Sequence, residues 1–520
     1  MRKFNILFVI IVIVIGLTGQ SCKPKVKAPE QTGITSTLDS TLIAPFLISY
    51  PELNKYEKDL VAIYRSHEYN LIWFDNKGVV EFGYSLYSKV KNLDVEGIST
   101  PFPYQNKIDE FFSDKTDKNL KTTDAELLLS SLYLFYLDKV YKGLDKKSTT
   151  DIGWLLPRKK VSYVGLLDSS LLEQKMPGND SLILFSQYYK LREVLRLYRA
   201  IELKGGWKTI VTDSEKKTYK PGDTASAILQ IRERLFVTGD IKQNNLSNKY
   251  DAELVAAVKK FKLCNGYKPI ALINPELIQS MNVLVSERIK TLVVNMERCR
   301  WISPEIFKAQ QYIFVNIPSY NMEFIRDGIV ELKSPVVLGD SSTQTSVFAG
   351  KMSYIIFSPY WNVPKSIIEK EIMPGIKKNK NYLKLHNMEW NNGHVRQKPG
   401  KKNSLGLVKF MFPNTNDIYL HDTPAKGAFN KDNRAISHGC VRVEKARELA
   451  YRILEDYETW THKKIDAAMN ASKESKVGLK KKIPVSIGYF TAWVDDQGEI
   501  NFYKDVYEKD ERLAALLFYK

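Results

Sequence analysis

Hydrophobic spacing divides this 520-residue chain into three regimes. From about Thr41 to Lys220, apolar residues recur at three and four, as in LNKYEKDLVAIYRSHEYN and DAELLLSSLYLFYLDKVYKG. That period predicts a helical region. Its aromatics are dense, and Trp73, Trp154 and Trp207 near its breaks read as core packing. From Tyr219 to about Glu287 the pattern gives helix, loop, helix, glycine turn, helix: PGDTASAILQIRERLFVTGD, then YDAELVAAVKKFKLCNGYKPIALINPELIQSMNVLV. From about Leu292 the period changes to alternation rich in Val and Ile, in YIFVNIPSYNMEFIRDGIVELKSPVVLG and FAGKMSYIIFSPYWNVP. Asp327-Gly328 marks a hairpin there. GLVKFMF and IYLHD read as further strands, and the tail IPVSIGYFTAWVDDQGEINFYKD as a closing hairpin around Asp496-Gln497-Gly498. EKARELAYRILEDY is an amphipathic helix in which Glu448 and Arg452 suit an i,i+4 pair.

The expectation is an α+β multidomain chain: a helical domain over 41–218, a small three-helix module over 219–290 and a β-rich domain over 291–520. One stretch breaks the β pattern. EKEIMPGIKKNKNYLKLHNMEWNNGHVRQKPGKK is rich in Lys and Asn, and about 365–402 reads as an inserted lid. Loops of that length without regular structure are functional or mobile.

The N-terminus adds a compartment. Arg2 and Lys3 precede an apolar run from Ile6 to Leu17, too short to cross a bilayer comfortably but suited to a signal peptide over 1–22. Cys22 after Gly19-Gln20-Ser21 resembles a bacterial lipoprotein processing site, with Gly19 where Leu is usual. That resemblance implies lipidation of Cys22 and a periplasmic or cell-envelope protein anchored to a membrane. Residues 23–40, polar and without a hydrophobic period, read as a linker.

Composition narrows the partners only a little. The hydrophobic fraction of 44% and charged fraction of 26% are those of globular protein. A net charge of +18 favours anionic partners, but the basic residues are spread out and no zinc finger, helix-turn-helix or RNP-type signature accompanies them. Nucleic acid is therefore not expected. Once Cys22 is set apart, three cysteines remain: Cys264, Cys299 and Cys440. An odd number gives no disulfide framework. Cys264 and Cys299 lie in helical apolar surroundings and read as buried thiols.

Cys440 has different company. In YLHDTPAKGAFNKDNRAISHGCVRV, Tyr419 to Val443, a His stands 19 positions before the cysteine and Ser-His-Gly immediately before it. A thiolate attacks carbonyls, so a nearby imidazole must take the thiol proton. Gly439 leaves the nucleophile's flank open and lets backbone N–H groups face a developing oxyanion. Arg442 favours negative charge beside it, on the thiolate or on a substrate carboxylate. A zinc site is the competing reading, but the segment lacks paired CxxC or HxxxH spacing and a fourth ligand. His67, His386, His394 and His462 have no such neighbours and read as surface residues.

The segment closely resembles the signature of the L,D-transpeptidases with a YkuD-type catalytic domain: an upstream His, then Ser/Thr-His-Gly-Cys, an apolar residue and Arg or Asn. NMERCRW, VNIPSYNMEF, SPYWNVPKSI, NSLGLVKFMFPN, HDTP and YFTAWVDDQGEINFYKDVYEKD resemble the larger YcbB-like members, and RSHEYNLIWF their scaffold region. The three-helix unit resembles the peptidoglycan-binding module through Gly222-Asp223, the Ala256-Val258-Phe261 face and the Gly266 turn. A spacer that binds nothing remains the alternative for that unit.

The resemblance implies a concrete reaction. Cys440 attacks the amide between the third and fourth residues of a wall peptide stem, D-Ala leaves, and an amine of a second stem resolves the thioester to a 3→3 cross-link. His421 is the base, the Asp422 carbonyl orients it, and the N–H groups of Gly439 and Cys440 hold the oxyanion. Ser437, His438 and Arg442 shape the site and hold substrate. Tyr419 and Trp361 are candidates for the substrate wall, or for core packing. No cofactor or metal is implied; the partners are donor and acceptor peptidoglycan stems and a membrane. The chain departs from the family pattern at Ser342-Thr343-Gln344-Thr345-Ser346, where Thr-Pro is common, and in the Lys-rich stretch before Asn403. Three rivals stand beside this reading: an L,D-carboxypeptidase using the same acyl-enzyme, a non-catalytic wall-binding lipoprotein, and a sortase-like enzyme with different Cys-His-Arg spacing.

Overall fold

The computed structural model describes residues 37–113, 120–173, 175–176, 183–212, 217–414 and 418–518. The signal peptide, Cys22 and most of the linker lie outside the described residues. The linker's last residues do not behave as tether: Leu38 is buried, and Asp39 caps a 3-10 turn beginning at Ser40.

The helical region is built around one helix, α1 (Thr122–Leu137), whose side chains are buried from Ala125 to Leu137. A helix that is apolar on every side must be a core element. Two of its polar members are satisfied by the segment around Trp73. Ser130 Oγ accepts from Trp73 Nε1 at 2.8 Å, and Glu126 accepts the N–H groups of Ile72 and Trp73 at 2.8 and 3.1 Å. A second long helix, α2 (Ser186–Leu203), carries the region onto the rest of the chain.

The next unit holds α3 (Ser226–Val237), α4 (Ala252–Cys264) and α5 (Pro275–Met281) around its own apolar cluster, which runs from Ile210 to Met281. Asp251 and Asn274 cap α4 and α5 through their side chains. Helix α6 (Val285–Trp301) follows, and α2 packs against it. A boundary between residues 290 and 291 therefore falls inside a continuous helix. The alternation expected from about Leu292 begins only at Gln311, because Leu292 to Trp301 completes the buried face of α6.

The β-rich part is a strongly curved sheet that closes on itself. Strands β1 (Gln311–Asn316), β2 (Asn321–Arg326) and β3 (Ile329–Gly339) form a meander with its second turn at Asp327-Gly328. Strand β4 (Phe348–Phe357) lies beside a 14-residue strand, which returns from the far end of the chain. Between them in sequence come β5 (Trp361–Asn362), β6 (Met388–Asn391) and β7 (His394–Gln397), which pair separately from the large sheet. Then follow β8 (Val408–Met411), β9 (Leu420–His421), β10 (Ala435–Ser437), β11 (Val441–Val443) and the long strand β12 (Ser475–Gly488). The order across the sheet is β10-β3-β11-β9-β8-β4-β12-β1-β2, and β2 pairs again with the first half of β3. Strand β3 thus serves three neighbours along its length: Asn321 to Arg326 on its first half, and Val443 and Arg442 on one side and Ala435 and Ser437 on the other of its second half. IPVSIG belongs to β12; the closing hairpin is β13 (Ala492–Val494) with β14 (Ile500–Phe502).

The insertion at 365–402 is not an irregular loop. With Trp361 it folds as the β5-β7-β6 sheet plus short helical turns, around Val363, Ile367, Ile372 and Val395. Arg452 pairs with Glu455 at 3.5 Å, an i,i+3 contact, rather than with Glu448. Cys299 is fully buried; Cys264 is only half-buried, at the rim of a cavity.

Candidate active site

Two adjacent strands carry the candidate chemistry. β9 and β11 run parallel, with Leu420 beside Val441 and His421 beside Arg442. Side chains alternate across a sheet. Leu420 and Val441 are fully buried in the core. Tyr419 and His421 therefore share the opposite face with Cys440 and Arg442. The 18 residues between base and nucleophile leave the sheet, add β10 at its edge and return beside β9. The two residues come together because parallel pairing brings the chain back beside itself.

The imidazole is oriented by backbone. His421 Nδ1 stands 2.5 Å from the carbonyl oxygen of Asp422. A carbonyl only accepts, so Nδ1 carries the hydrogen and Nε2 is left with its lone pair. His421 is 4% exposed. Burial, then the Arg442 guanidinium, then the Lys409 ammonium pull its pKa from 6.5 down to about 3, against the opposing bond to Asp422. Desolvation likewise pushes the Cys440 thiol above its ordinary range, against hydrogen bonding from Tyr419 and the charges of Lys409 and Arg442. The resting pair is consequently a neutral thiol and a neutral imidazole, not a thiolate with an imidazolium.

The Asp422 side chain is tied as well. Its Oδ2 accepts from Leu407 N at 2.9 Å and its Oδ1 from Lys426 Nζ at 2.7 Å. The carbonyl that orients His421 thus belongs to a residue anchored at both carboxylate oxygens.

The nucleophile's loop is held by hydroxyl groups. Ser437, buried, donates Oγ–H to the Cys440 carbonyl at 2.9 Å, and the Gly439 N–H points at Ser437 Oγ from 3.3 Å. In the substrate-free state this candidate oxyanion donor therefore has a long internal contact. Gly439 has φ +110°, where side chains rarely fit, and a Cβ on Gly339 would meet Gly439 Cα at 3.0 Å. Thr343 Oγ1 donates to the Ser437 carbonyl at 3.0 Å and Thr345 Oγ1 to the Gly439 carbonyl at 2.8 Å. The Ser/Thr run at 342–346, where the chain departs from the family pattern, thus braces Ser437 and the residue next to Cys440. Tyr507 OH, from the C-terminal tail, donates to the Gly339 carbonyl at 2.6 Å behind it.

The remaining sequence-predicted residues are distributed unevenly. The Tyr419 ring lies 5.6 Å from the His421 ring, beside the pair. Arg442 is half-buried on β11. His438 is half-exposed and faces the lid, its Nε2 standing 3.1 Å from Glu371 Oε1. Trp361 packs on the lid's own apolar cluster. Three residues that sequence reasoning passed over belong here. Lys409 is the antiparallel partner of His421 on β8, with its ammonium 3.7 Å from the centre of the Tyr419 ring. Thr345 braces the loop, and Glu371 joins lid to loop. Period-2 spacing within GLVKFMF could have placed Lys409 on the polar face of its strand; Thr345 was marked only as part of a departure from the family pattern, and nothing local marked Glu371.

Comparisons with known proteins bear on the domains. The L,D-transpeptidase catalytic domain (YkuD) matches residues 310–485, and a Scaffold domain matches residues 58–195. A Haemophilus influenzae protein named "Putative L,D-transpeptidase" is 31% identical over 308 residues, which is 54% of this chain and 62% of that relative. Solved structures include an L,D-transpeptidase from Mycobacterium smegmatis, at 12% identity over 34% of this chain and 58% of that one, with a TM-score of 0.21. L,D-transpeptidase 3 from Mycobacterium tuberculosis, solved with a faropenem-derived adduct, gives 13% identity over 34% and 60%, with a TM-score of 0.20. Superpositions at those scores decide nothing about this chain. From the family matches and the relative, the chain carries a YkuD-type L,D-transpeptidase catalytic domain over residues 310–485, behind a Scaffold domain over residues 58–195.

Proposed function

We propose that this protein is a peptidoglycan L,D-transpeptidase that forms 3→3 cross-links through a thioester on Cys440, with release of D-Ala. The observation that carries the reading is the Nδ1–H of His421 held on the Asp422 carbonyl, which leaves Nε2 as the basic atom on the face shared with Cys440. The sulfur attacks the carbonyl carbon at the L-centre of a stem's third residue, and its proton passes to His421 Nε2. Collapse of the tetrahedral intermediate breaks the C–N bond, and His421 returns that proton to the departing D-Ala amine. A side-chain amine of a second stem then attacks the thioester and gives its proton to His421. Collapse forms the new amide, and the proton goes back to sulfur.

Both resting groups are neutral, so proton transfer and attack must proceed together. Arg442 and Lys409 disfavour an imidazolium until negative charge develops on sulfur or on the carbonyl oxygen. They then stabilise that charge, which is the differential binding a catalyst needs. The Gly439 N–H can exchange its long contact with Ser437 for the oxyanion. The protein is read as exported and membrane-tethered through Cys22, on the sequence alone.

Intact-protein mass spectrometry with a carbapenem tests the nucleophile, since a thiol opens the strained amide and stays acylated. A single adduct, absent in Cys440→Ala, is expected. A folded wild-type protein that takes up no adduct would refute the assignment of Cys440. Muropeptide analysis then separates acceptors: cross-linked dimers support transpeptidation, and shortened monomers alone would make the protein a carboxypeptidase.

A further inference from the structure

A cavity of about 500 Å³ opens far along the chain from Cys440, where α2, the three-helix unit, α6 and the β13–β14 hairpin meet. That volume lies within the roughly 300–1,000 Å³ usual for small-molecule sites. Its walls are apolar and partly open: Leu197 is 55% and Phe236 42% exposed, with Phe261 and Phe502 deeper.

Its floor holds an unusual charge. Among the described residues four arginines are buried, and three have carboxylates. Arg232 pairs with Asp251 and Glu253, Arg298 with Asp510, and Arg300 with Glu297, all at 2.6–3.0 Å. Arg234 is only 3% exposed, yet no described carboxylate lies within ion-pair distance. Its guanidinium lies 3.5 Å from the Trp207 ring centre and gives Nε to the Met281 carbonyl and Nη1 to Thr238 Oγ1, at 3.0 and 3.2 Å. No described hydrogen bond uses its Nη2. Burial lowers its pKa to about 10, so it is still a cation at neutral pH. Arg288 lines the same cavity, stacked 4.4 Å from the Phe502 ring centre, and gives Nη2 to neutral oxygens of Asn265 and Ser280.

Of the carboxylates at the cavity, Glu499 pairs with Lys260 at 2.8 Å, and Asp240 accepts from the Thr238 hydroxyl at 2.6 Å and acts on Arg234 only through space, beyond ion-pair distance. Two desolvated guanidinium groups bonded only to neutral acceptors carry a cost that a carboxylate would relieve. The flat fork of Arg suits such a group in two-point contact.

We propose that this cavity binds a small organic anion, its carboxylate on Arg234 and Arg288 and its aliphatic body along Leu197, Phe236 and Phe261. The shared chemistry is a carboxylate on an aliphatic chain, whether it ends a short peptide or a fatty acid. Because the walls come from separate parts of the chain, such a ligand would also fix the three-helix unit against α2.

Isothermal titration of the full mature chain, carrying Cys440→Ala, tests this with N-acetyl-Leu-Leu and with octanoate. Saturable one-to-one binding is expected for one of them, identifying the source, with the corresponding C-terminal amide or octanamide at least about tenfold weaker. Arg288→Gln should weaken the acid by a similar factor, and Leu197→Trp, at an exposed wall position, should block it without lowering the melting temperature. Equal binding of acid and amide would overturn the proposal. So would binding that survives Leu197→Trp, or the absence of saturation by either probe up to about 10 mM, the weakest range in which a specific site is meaningful.

Discussion

Cys440 and His421 rest as an uncharged pair, and that state has a pH signature. The His421 imidazole is lowered from 6.5 to about 3. The unfolded chain therefore takes up this proton first as pH falls. Stability from the neutral buried ring is complete above about 6.5 and is lost progressively toward 3, by up to about 1.4 kcal/mol per pH unit from this group. Nitrogen-detected NMR of the folded protein should show His421 unchanged from pH 8 to 5, with hydrogen on Nδ1 and a bare Nε2. A midpoint near 6.5 for that ring would remove the argument for a neutral resting pair. His421→Ala should slow carbapenem acylation by about 10²-fold or more, measured as the adduct formation rate. Unchanged acylation would retire His421 as base. At this scale the sequence was generous. Ser-His-Gly-Cys-Val-Arg is contiguous, so its composition shows its chemistry before any folding. Lys409 was hidden because it reaches His421 through antiparallel pairing, and a lysine in a strand looks like ordinary surface charge until its neighbour is known.

At the scale of elements, the lid and the nucleophile loop meet in a side-chain contact of His438 with Glu371 at 3.1 Å. Both side chains are about half exposed, which puts the contact near the surface-pair range of roughly 0–1 kcal/mol. Glu371→Ala should therefore leave the melting temperature nearly unchanged. Hydrogen exchange over residues 365–378 should nonetheless rise, because the lid's own core is only Val363, Ile367, Ile372 and Val395 with a few half-buried neighbours. KM for a stem peptide should rise more than kcat falls. Unaltered exchange would mean that the lid is held elsewhere. The lid's internal fold was illegible in the sequence for a physical reason. Its four buried residues are spread over 33 positions among Lys and Asn, so no window shows a period. The meander β1–β3 was the opposite case, since alternation and Asp327-Gly328 both lie within one short stretch.

At the scale of the whole molecule, the helical region and the barrel share one core. Trp154 stacks edge-on against Trp301 at 5.0 Å and Phe490 at 6.1 Å, and Gln187 exchanges two hydrogen bonds with the Val494 backbone on β13. Helix α6 is the seam. Its Glu297 accepts from Leu144 N at 2.6 Å, from Trp301 Nε1 at 2.8 Å and from Arg300 Nη1 at 2.7 Å, while Arg300 reaches the Glu96 and Val140 carbonyls. On its other side, Asn295 and Arg298 hold Thr491 and Asp510 beside the barrel. Sequence reading put a boundary through this helix because hydropathy cannot show that its two faces serve different neighbours. Removing Glu297 would leave Arg300 buried beside two carbonyls and the Tyr188 hydroxyl, with no carboxylate bonded to it, the situation that costs about 3–5 kcal/mol when one partner of a buried pair is lost. Glu297→Ala should therefore lower the denaturation midpoint steeply. It should do so equally whether unfolding is followed by far-ultraviolet circular dichroism, to which the helical region contributes most, or by loss of carbapenem labelling at Cys440. Two separated transitions would mean that the seam does not couple the parts. A single shifted transition would mean that the geometry around Cys440 depends on a helix far from it in sequence, so the catalytic barrel would not hold its shape when cut free of the helical region.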